Sequence, residues 1–259
     1  MGIEARLAEL QERQNDYRCN ANLTIDGVKI REKTMTTLIA ATGVGKSTIN
    51  KRLLELATKQ SIDAGEPGTE TTRPRRADDG DSYRTDVSHD EMISKIENAE
   101  YPNWSVTPSG HIYATPPESL KAEYNFLPCL PSSLPMLRRA GFKAINAFYI
   151  VTTAAAWDSQ IEDRKNLADF PGRIEEAKSS LEFAWNDRNL YKIFSAPGAD
   201  ELDRTAHLIL DFVTTTPSQR FRLKNSVNQG GMYANFQQHS HEMYNWAFAL
   251  SNTFEPPVA

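Results

Sequence analysis

The stretch Ala40-Ala41-Thr42-Gly43-Val44-Gly45-Lys46-Ser47-Thr48 holds the residue types that bind a phosphate ester. Gly43 and Gly45 let consecutive backbone N–H groups turn into one concave surface that anionic oxygens can enter. Lys46 supplies a cation able to bridge two phosphates, and the Ser47 hydroxyl can hold a divalent metal ion. The phosphate-loop pattern asks for Gly, four residues, and then Gly-Lys-Ser/Thr, and here Ala40 stands at its first position. A second concentration of charge follows, Thr71-Thr72-Arg73-Pro74-Arg75-Arg76, with three arginines in four residues. Guanidinium forks match phosphate oxygens two bonds at a time, so this string is a candidate second anion site.

These residues need elements to position them. Residues 34–41 are β-branched and apolar, which predicts a strand running into the loop. Beyond the loop, Ile49, Leu53, Leu54, Leu56 and Ala57 recur at helical spacing up to about Gln60. Strand, glycine loop and helix is the order the phosphate reading requires, and the helix start adds its positive dipole end. The loop residues Thr42, Gly43, Val44, Gly45, Lys46, Ser47 and Thr48 are therefore expected to hold the phosphates of ATP, with Mg2+ on Ser47.

The rest of the chain alternates. Helices are expected over 2–16, 89–99, 134–140, 173–187 and 201–212, and strands over 125–130, Ala144–Val151 and Tyr191–Phe194. Ser88 and Glu91 have capping-box spacing, and Asp26-Gly27 predicts a hairpin turn within 22–30. Residues 61–87 read as loop or short irregular strands. A helix from about Ala155 should run toward 164–173, where Asp169-Phe170-Pro171-Gly172 is expected to interrupt it. Strands alternating with helices imply an α/β fold of three layers around a parallel sheet. After Thr216 the chain turns rich in Gln, Asn and Ser but keeps many aromatics, Trp246 and Phe248 among them. Such a tail is expected to pack on the core or to build a homodimer.

Composition bounds the partners. The 259 residues carry 29 basic and 34 acidic side chains, a net charge of −5, with 39% hydrophobic residues. That balance disfavours a long nucleic acid as partner. The longest apolar runs are too short to span a bilayer, so no membrane partner is expected. Charged residues Glu4, Arg6 and Glu9 do not suit a secretory signal. Cys19 and Cys129 lie far apart with no metal-ligand spacing, which points to a reducing, cytoplasmic setting. The histidines form no ligand set, and no nucleophile elbow is present.

The two charged clusters together carry a resemblance. Thr71-Thr72-Arg73-Pro74-Arg75-Arg76, Gly80, and Ser82-Tyr83 behind a phosphate loop resemble the acceptor signature of the guanylate kinase family. Trp104 followed by Gly110-His111-Ile112-Tyr113-Ala114-Thr115 is similar to that family's Trp…Gly-Asn-Tyr-Tyr-Gly-Thr stretch. Arg164, and Arg173-Ile174-Glu175-Glu176-Ala177, resemble the lid arginines and the helix after the lid. The similarity spans roughly residues 35–215. It implies a P-loop nucleoside monophosphate kinase with an acceptor-binding insertion and a lid that close on ATP and a nucleoside monophosphate. It implies that Arg73, Arg76, Tyr83 and Tyr113 hold the acceptor phosphate, with Arg75 able to replace Arg76 because this loop is shorter. Lys46, Arg164 and Arg173 would stabilise charge on the transferred phosphoryl group, which needs alignment more than covalent chemistry. The expected divisions are an N-terminal extension (1–34), a guanylate kinase-like domain (35–216) and a C-terminal extension (217–259).

The sequence departs from the family where the base would be read. Asn103 stands where a Glu usually precedes the Trp, and Phe126-Leu127-Pro128-Cys129-Leu130-Pro131 lacks the family's Asp-x-Asp. Guanine offers donors at N1 and N2, and each buried donor left unpaired costs about 1–3 kcal/mol. Asn103 offers both a donor and an acceptor, so it could pair with another base, a pyrimidine or a modified one. Three classes follow: a kinase of nucleoside or deoxynucleoside monophosphates, a kinase of a ribose phosphate or of a modified nucleotide in DNA, and a non-catalytic guanylate-kinase-like binding module.

Overall fold

The structure, a computed structural model, describes the chain apart from residues 1, 15, 21–23, 26–27, 76–79, 81, 108, 168, 216–231 and 253–259. In chain order the elements are α1 (Ile3–Arg13), β1 (Thr24–Ile25), β2 (Val28–Lys29), β3 (Thr34–Ile39), α2 (Lys46–Lys59), β4 (Ala64–Gly65), β5 (Thr69–Thr71) and β6 (Tyr83–Arg84). There follow α3 (His89–Glu97), β7 (Trp104–Val106), β8 (Ile112–Ala114), β9 (Tyr124–Pro128), α4 (Leu134–Arg139) and β10 (Ala144–Val151). The chain continues through α5 (Ala154–Ile161), α6 (Phe170–Asn186), β11 (Tyr191–Phe194), α7 (Ala199–Thr214) and α8 (Met232–Ser251).

The central sheet has five strands in the order β11-β10-β3-β9-β4. Its outer pairs, β10 with β11 and β4 with β9, are parallel, with Phe148 opposite Tyr191 and Ala64 opposite Tyr124. Every residue of β3 is buried, as is β10 from Asn146 to Val151. Continuous burial without alternation is what a parallel strand covered on both faces shows. The fold is thus α/β with a parallel central sheet. Among the described residues no helix is long and apolar enough to cross a membrane.

The chain divides into two compact units, residues 1–37 with 63–145, and residues 38–62 with 146–259. In the first unit a second sheet, ordered β6-β5-β8-β7, carries the arginine string at the end of β5. Strand β5 runs parallel to β6 and antiparallel to β8, which sets Thr71 opposite Tyr113 and Thr69 opposite Tyr83. Helix α3 starts with Ser88 Oγ accepting from the Glu91 N–H at 3.1 Å, the cap its spacing predicts. Met92, Ile93 and Ile96 of α3 pack with Tyr101, Trp104, Ile112 and the α1 residues Leu7 and Leu10.

In the second unit, α2 follows the glycine loop and packs beside α7, where Arg52 Nε meets Asp203 at 3.0 Å. The expected interruption at 169–172 lies elsewhere. The helix breaks after Ile161, and Phe170-Pro171-Gly172 already form the first turn of α6. Proline is tolerated there because a first-turn N–H has no intrahelical acceptor to lose. Residues 232–251 form one continuous helix, α8, which lies on α6, β11 and α5. Phe236, Ser240, Met243 and Ala247 are its buried stripe.

Candidate active site

The residues expected to hold the phosphates of ATP, Thr42–Thr48, all lie in the second unit. Strand β3 ends at Ile39, the loop turns through residues 40–45, and α2 begins at Lys46. Gly43 has φ +82° and Gly45 φ +95°, left-handed values that L side chains adopt at a cost. Gly45 is the residue before α2, and no side chain caps the helix there. The first N–H groups of α2 therefore face the loop with the helix's positive end behind them. Lys46 Nζ donates to the carbonyls of Ala40 at 2.7 Å and Ala41 at 3.3 Å, which holds the ammonium across the loop's mouth. Ser47 and Thr48 are exposed beside it, while Val44 is buried beneath.

The arginines expected to belong to a lid, Arg164 and Arg173, lie in the same unit. Arg164 NH1 reaches Thr42 Oγ1 at 3.5 Å, a long contact that places this guanidinium at the loop. Arg173, in the first turns of α6, is held by Asp169 Oδ2 through Nε at 3.0 Å and NH2 at 2.7 Å. Glu176, one turn further along α6, was not singled out by the sequence. Burial pushes its carboxyl above the usual carboxylate range, while the charges of Lys46 and Arg173 pull it back. Both cations are thus close enough for one carboxylate to feel them.

Trp157 is fully buried in α5, and its Nε1 donates to the Thr42 carbonyl at 2.7 Å. Nothing in the local sequence marks it as part of the phosphate loop, since 115 residues separate donor and acceptor.

The candidate acceptor residues lie in the first unit. Arg73 is buried at 5% exposure, with its guanidinium carbon 5.1 Å from the Tyr83 ring centre and 5.9 Å from that of Tyr113. Its NH1 donates to the Pro74 carbonyl at 2.9 Å. The antiparallel register of β5 and β8 explains how Tyr113, forty residues later, comes beside the arginine string. Arg75 is exposed, and Arg76 lies outside the described residues. Asn103, just before β7, is 5% exposed, and its Oδ1 is buried with no hydrogen-bond partner among the described residues. Behind this group, Glu70 is buried at 1% exposure and accepts from Arg84 NH1 at 2.8 Å, Lys95 Nζ at 3.1 Å and the Tyr101 hydroxyl.

A guanylate kinase family model matches residues 32–167, more than half of the chain. The chain belongs to the guanylate kinase family. This membership takes in the phosphate loop, the arginine string, Asn103, Tyr113 and Arg164, and it stops short of Arg173 and α8. Among solved structures, the guanylate kinase from Anaplasma phagocytophilum is 14% identical, with a TM-score of 0.46 over 71% of this chain and 85% of that one. No curated protein sequence matches the chain. Guanylate kinase membership supports nucleotide binding and phosphoryl transfer as the general activity, whereas the acceptor has to be argued from the residues themselves.

Proposed function

We propose that the chain transfers a phosphoryl group from ATP to a nucleoside or deoxynucleoside monophosphate without the family's strict guanine specificity, its acceptor including another or a modified base. The observation that carries this reading is the loop at residues 40–48. Two left-handed glycines, a helix start without a side-chain cap among the described residues and Lys46 across the mouth form an anion cradle. The donor set fits a triphosphate: backbone N–H groups take the phosphate oxygens, and Lys46 exchanges the Ala40 and Ala41 carbonyls for them. Ser47, exposed beside the loop, is the residue that would hold Mg2+, which when bound neutralises charge on the β- and γ-phosphates.

The roles of the other residues follow from charge. Arg164, already near Thr42, and Arg173, once released by Asp169, stabilise the negative charge that spreads over the moving phosphoryl group. Arg73, Arg75 and Arg76, with the hydroxyls of Tyr83 and Tyr113, hold the acceptor phosphate. Arg73 is preset for that task because the two rings fix its guanidinium plane. Asn103 meets the base. Its buried Oδ1 is an acceptor in want of one donor, and the amide also supplies a donor of its own. A base edge that sets one donor beside one acceptor satisfies both, whereas guanine's further N2 amino donor would lack the carboxylate that the family supplies.

An acceptor screen with ATP and Mg2+, across ribo- and deoxyribonucleoside monophosphates, tests the whole reading. Turnover on one or more acceptors other than GMP is the expected result. Exclusive use of GMP would show the base argument wrong. Turnover only on a ribose phosphate, or only on a modified nucleotide within DNA, would replace the acceptor assignment, and ATP binding without any turnover would make the chain a binding module.

A further inference from the structure

The C-terminal helix lies outside the family match, and nothing in the phosphate chemistry calls for it. Its Trp246 nevertheless meets the Trp157 ring edge-to-face, with centroids 5.1 Å apart. Trp157 is the residue whose indole N–H is spent on the Thr42 carbonyl, in the middle of the phosphate loop. On the same helix as Trp157, Ile161 occupies the space beside Gly43 so closely that a Cβ on Gly43 would collide with its Cγ2. Helix α5 is thus the surface on which the loop rests.

Trp246 has a second contact. Lys165 Nζ lies 5.8 Å from its ring centre, and Lys165 follows the lid residue Arg164 directly. Asp158 of α5 holds the same ammonium at 2.7 Å, and Glu162 also accepts from it. One ring of α8 therefore touches both the residue that anchors Thr42 and the residue beside Arg164. The anchor of α8 itself is extensive. Phe236, Met243 and Ala247 are buried, Trp185 Nε1 donates to Ser240 Oγ at 2.9 Å, and Tyr244 donates to Glu182 at 2.7 Å.

We infer that Trp246 is a positioning residue for the ATP half of the site, acting through Trp157 on Thr42. The C-terminal extension is on this view a built-in part of the nucleotide site. A ring packed edge-to-face restricts the tilt of its neighbour, and the tilt of Trp157 sets where the Thr42 carbonyl and the adjoining N–H groups point. This inference rests on the reading of residues 40–48 as the ATP site, and the experiment separates the two.

ATP binding with Mg2+ is measured by calorimetry on the full chain and on Trp246→Ala, Trp246→Phe, Trp157→Phe, the Trp157→Phe/Trp246→Ala double variant and Phe248→Ala, with melting temperatures alongside. Trp157→Phe keeps an aromatic ring against Trp246 and removes the indole donor along with part of the buried ring, a packing loss that the melting temperatures register. Trp246→Ala and Trp157→Phe are each expected to weaken ATP about three- to tenfold, the yield of one positioned hydrogen bond. Trp246→Phe should restore affinity to within about twofold, and Phe248→Ala, half-exposed on the same helix, should leave it unchanged. The double variant should bind no worse than Trp157→Phe, because both changes break one relay. Additive losses in the double variant, or a folded Trp246→Ala chain that binds ATP like the parent, would overturn the inference. Should Trp246→Ala fail to fold, normal ATP affinity in Trp157→Phe would overturn it equally. A parent chain that does not bind ATP would instead remove the ATP-site reading itself.

Discussion

Lys95 Nζ donates to Glu70 at 3.1 Å, so a cation from α3 neutralises a carboxylate buried directly before Thr71-Thr72-Arg73. Arg84 and the Tyr101 hydroxyl complete the set, and burial together with Glu70 holds the Tyr101 phenol well above its ordinary range. A buried carboxylate is tolerable only when its oxygens are satisfied, and here three donors from three segments converge on it. Glu70→Gln removes the charge and one acceptor while keeping the shape. The variant should lose about 1–3 kcal/mol of stability, seen as a melting temperature lower by about 5 °C. An unchanged melting temperature would mean that the cluster is a solvated one.

Lys46 and the loop it spans give a sharper test of chemistry. Lys46→Met keeps the aliphatic stem and loses the ammonium that donates to Ala40 and Ala41. Removing one group that stabilises charge in a transition state costs about 10²–10³-fold in turnover. Steady-state kinetics on the acceptor found by screening should show that fall in kcat with a nearly normal melting temperature. Retention of most turnover would mean that the loop does not face the transferred phosphate.

Several elements could be read directly from residue order, and the exceptions are instructive. Strands Ala144–Val151 and Tyr191–Phe194 fall where β-branched and aromatic runs predict them, because a buried parallel strand leaves a continuous apolar signature. Helix α8 was hidden by its composition. Its buried positions 236, 240, 243 and 247 follow helical spacing, but Ser240 stands in the stripe and Gln, Asn and His crowd the other faces. The sequence also places the phosphate loop and the arginine string, since each is a local pattern. Trp157 on Thr42, and Glu70 under three donors, join residues from distant segments, and no local pattern encodes such a meeting. Arg76 and the hairpin turn at 26–27 lie outside the described residues.

The two loop glycines should respond differently to alanine. Both have positive φ, so each substitution carries left-handed strain of about 1–2 kcal/mol. Gly43 has Ile161 against it, whereas a Cβ on Gly45 meets nothing within 4 Å. Gly43→Ala must therefore also displace α5 or the loop, and should destabilise the chain more than Gly45→Ala does. Thermal melts of the two variants check the order. Equal losses would mean that strain alone matters and that Ile161 yields freely.

Glu176 ties stability to pH. Its carboxyl is raised above the usual range chiefly by burial, against the opposing pull of Lys46 and Arg173. A carboxyl with a higher pKa when folded than when unfolded binds a proton more readily in the folded chain. Its favourable contribution is therefore complete below the unfolded value near 4.3 and disappears as pH rises through the folded value. Above the folded value the ionised group is a burden on the folded state. Glu176→Gln should raise the melting temperature at pH 7, and the gain should shrink as pH falls toward about 4. Melting curves of parent and variant measured across that range should converge at the acid end. Parallel curves would mean that Glu176 is solvated when folded and contributes no pH dependence of its own.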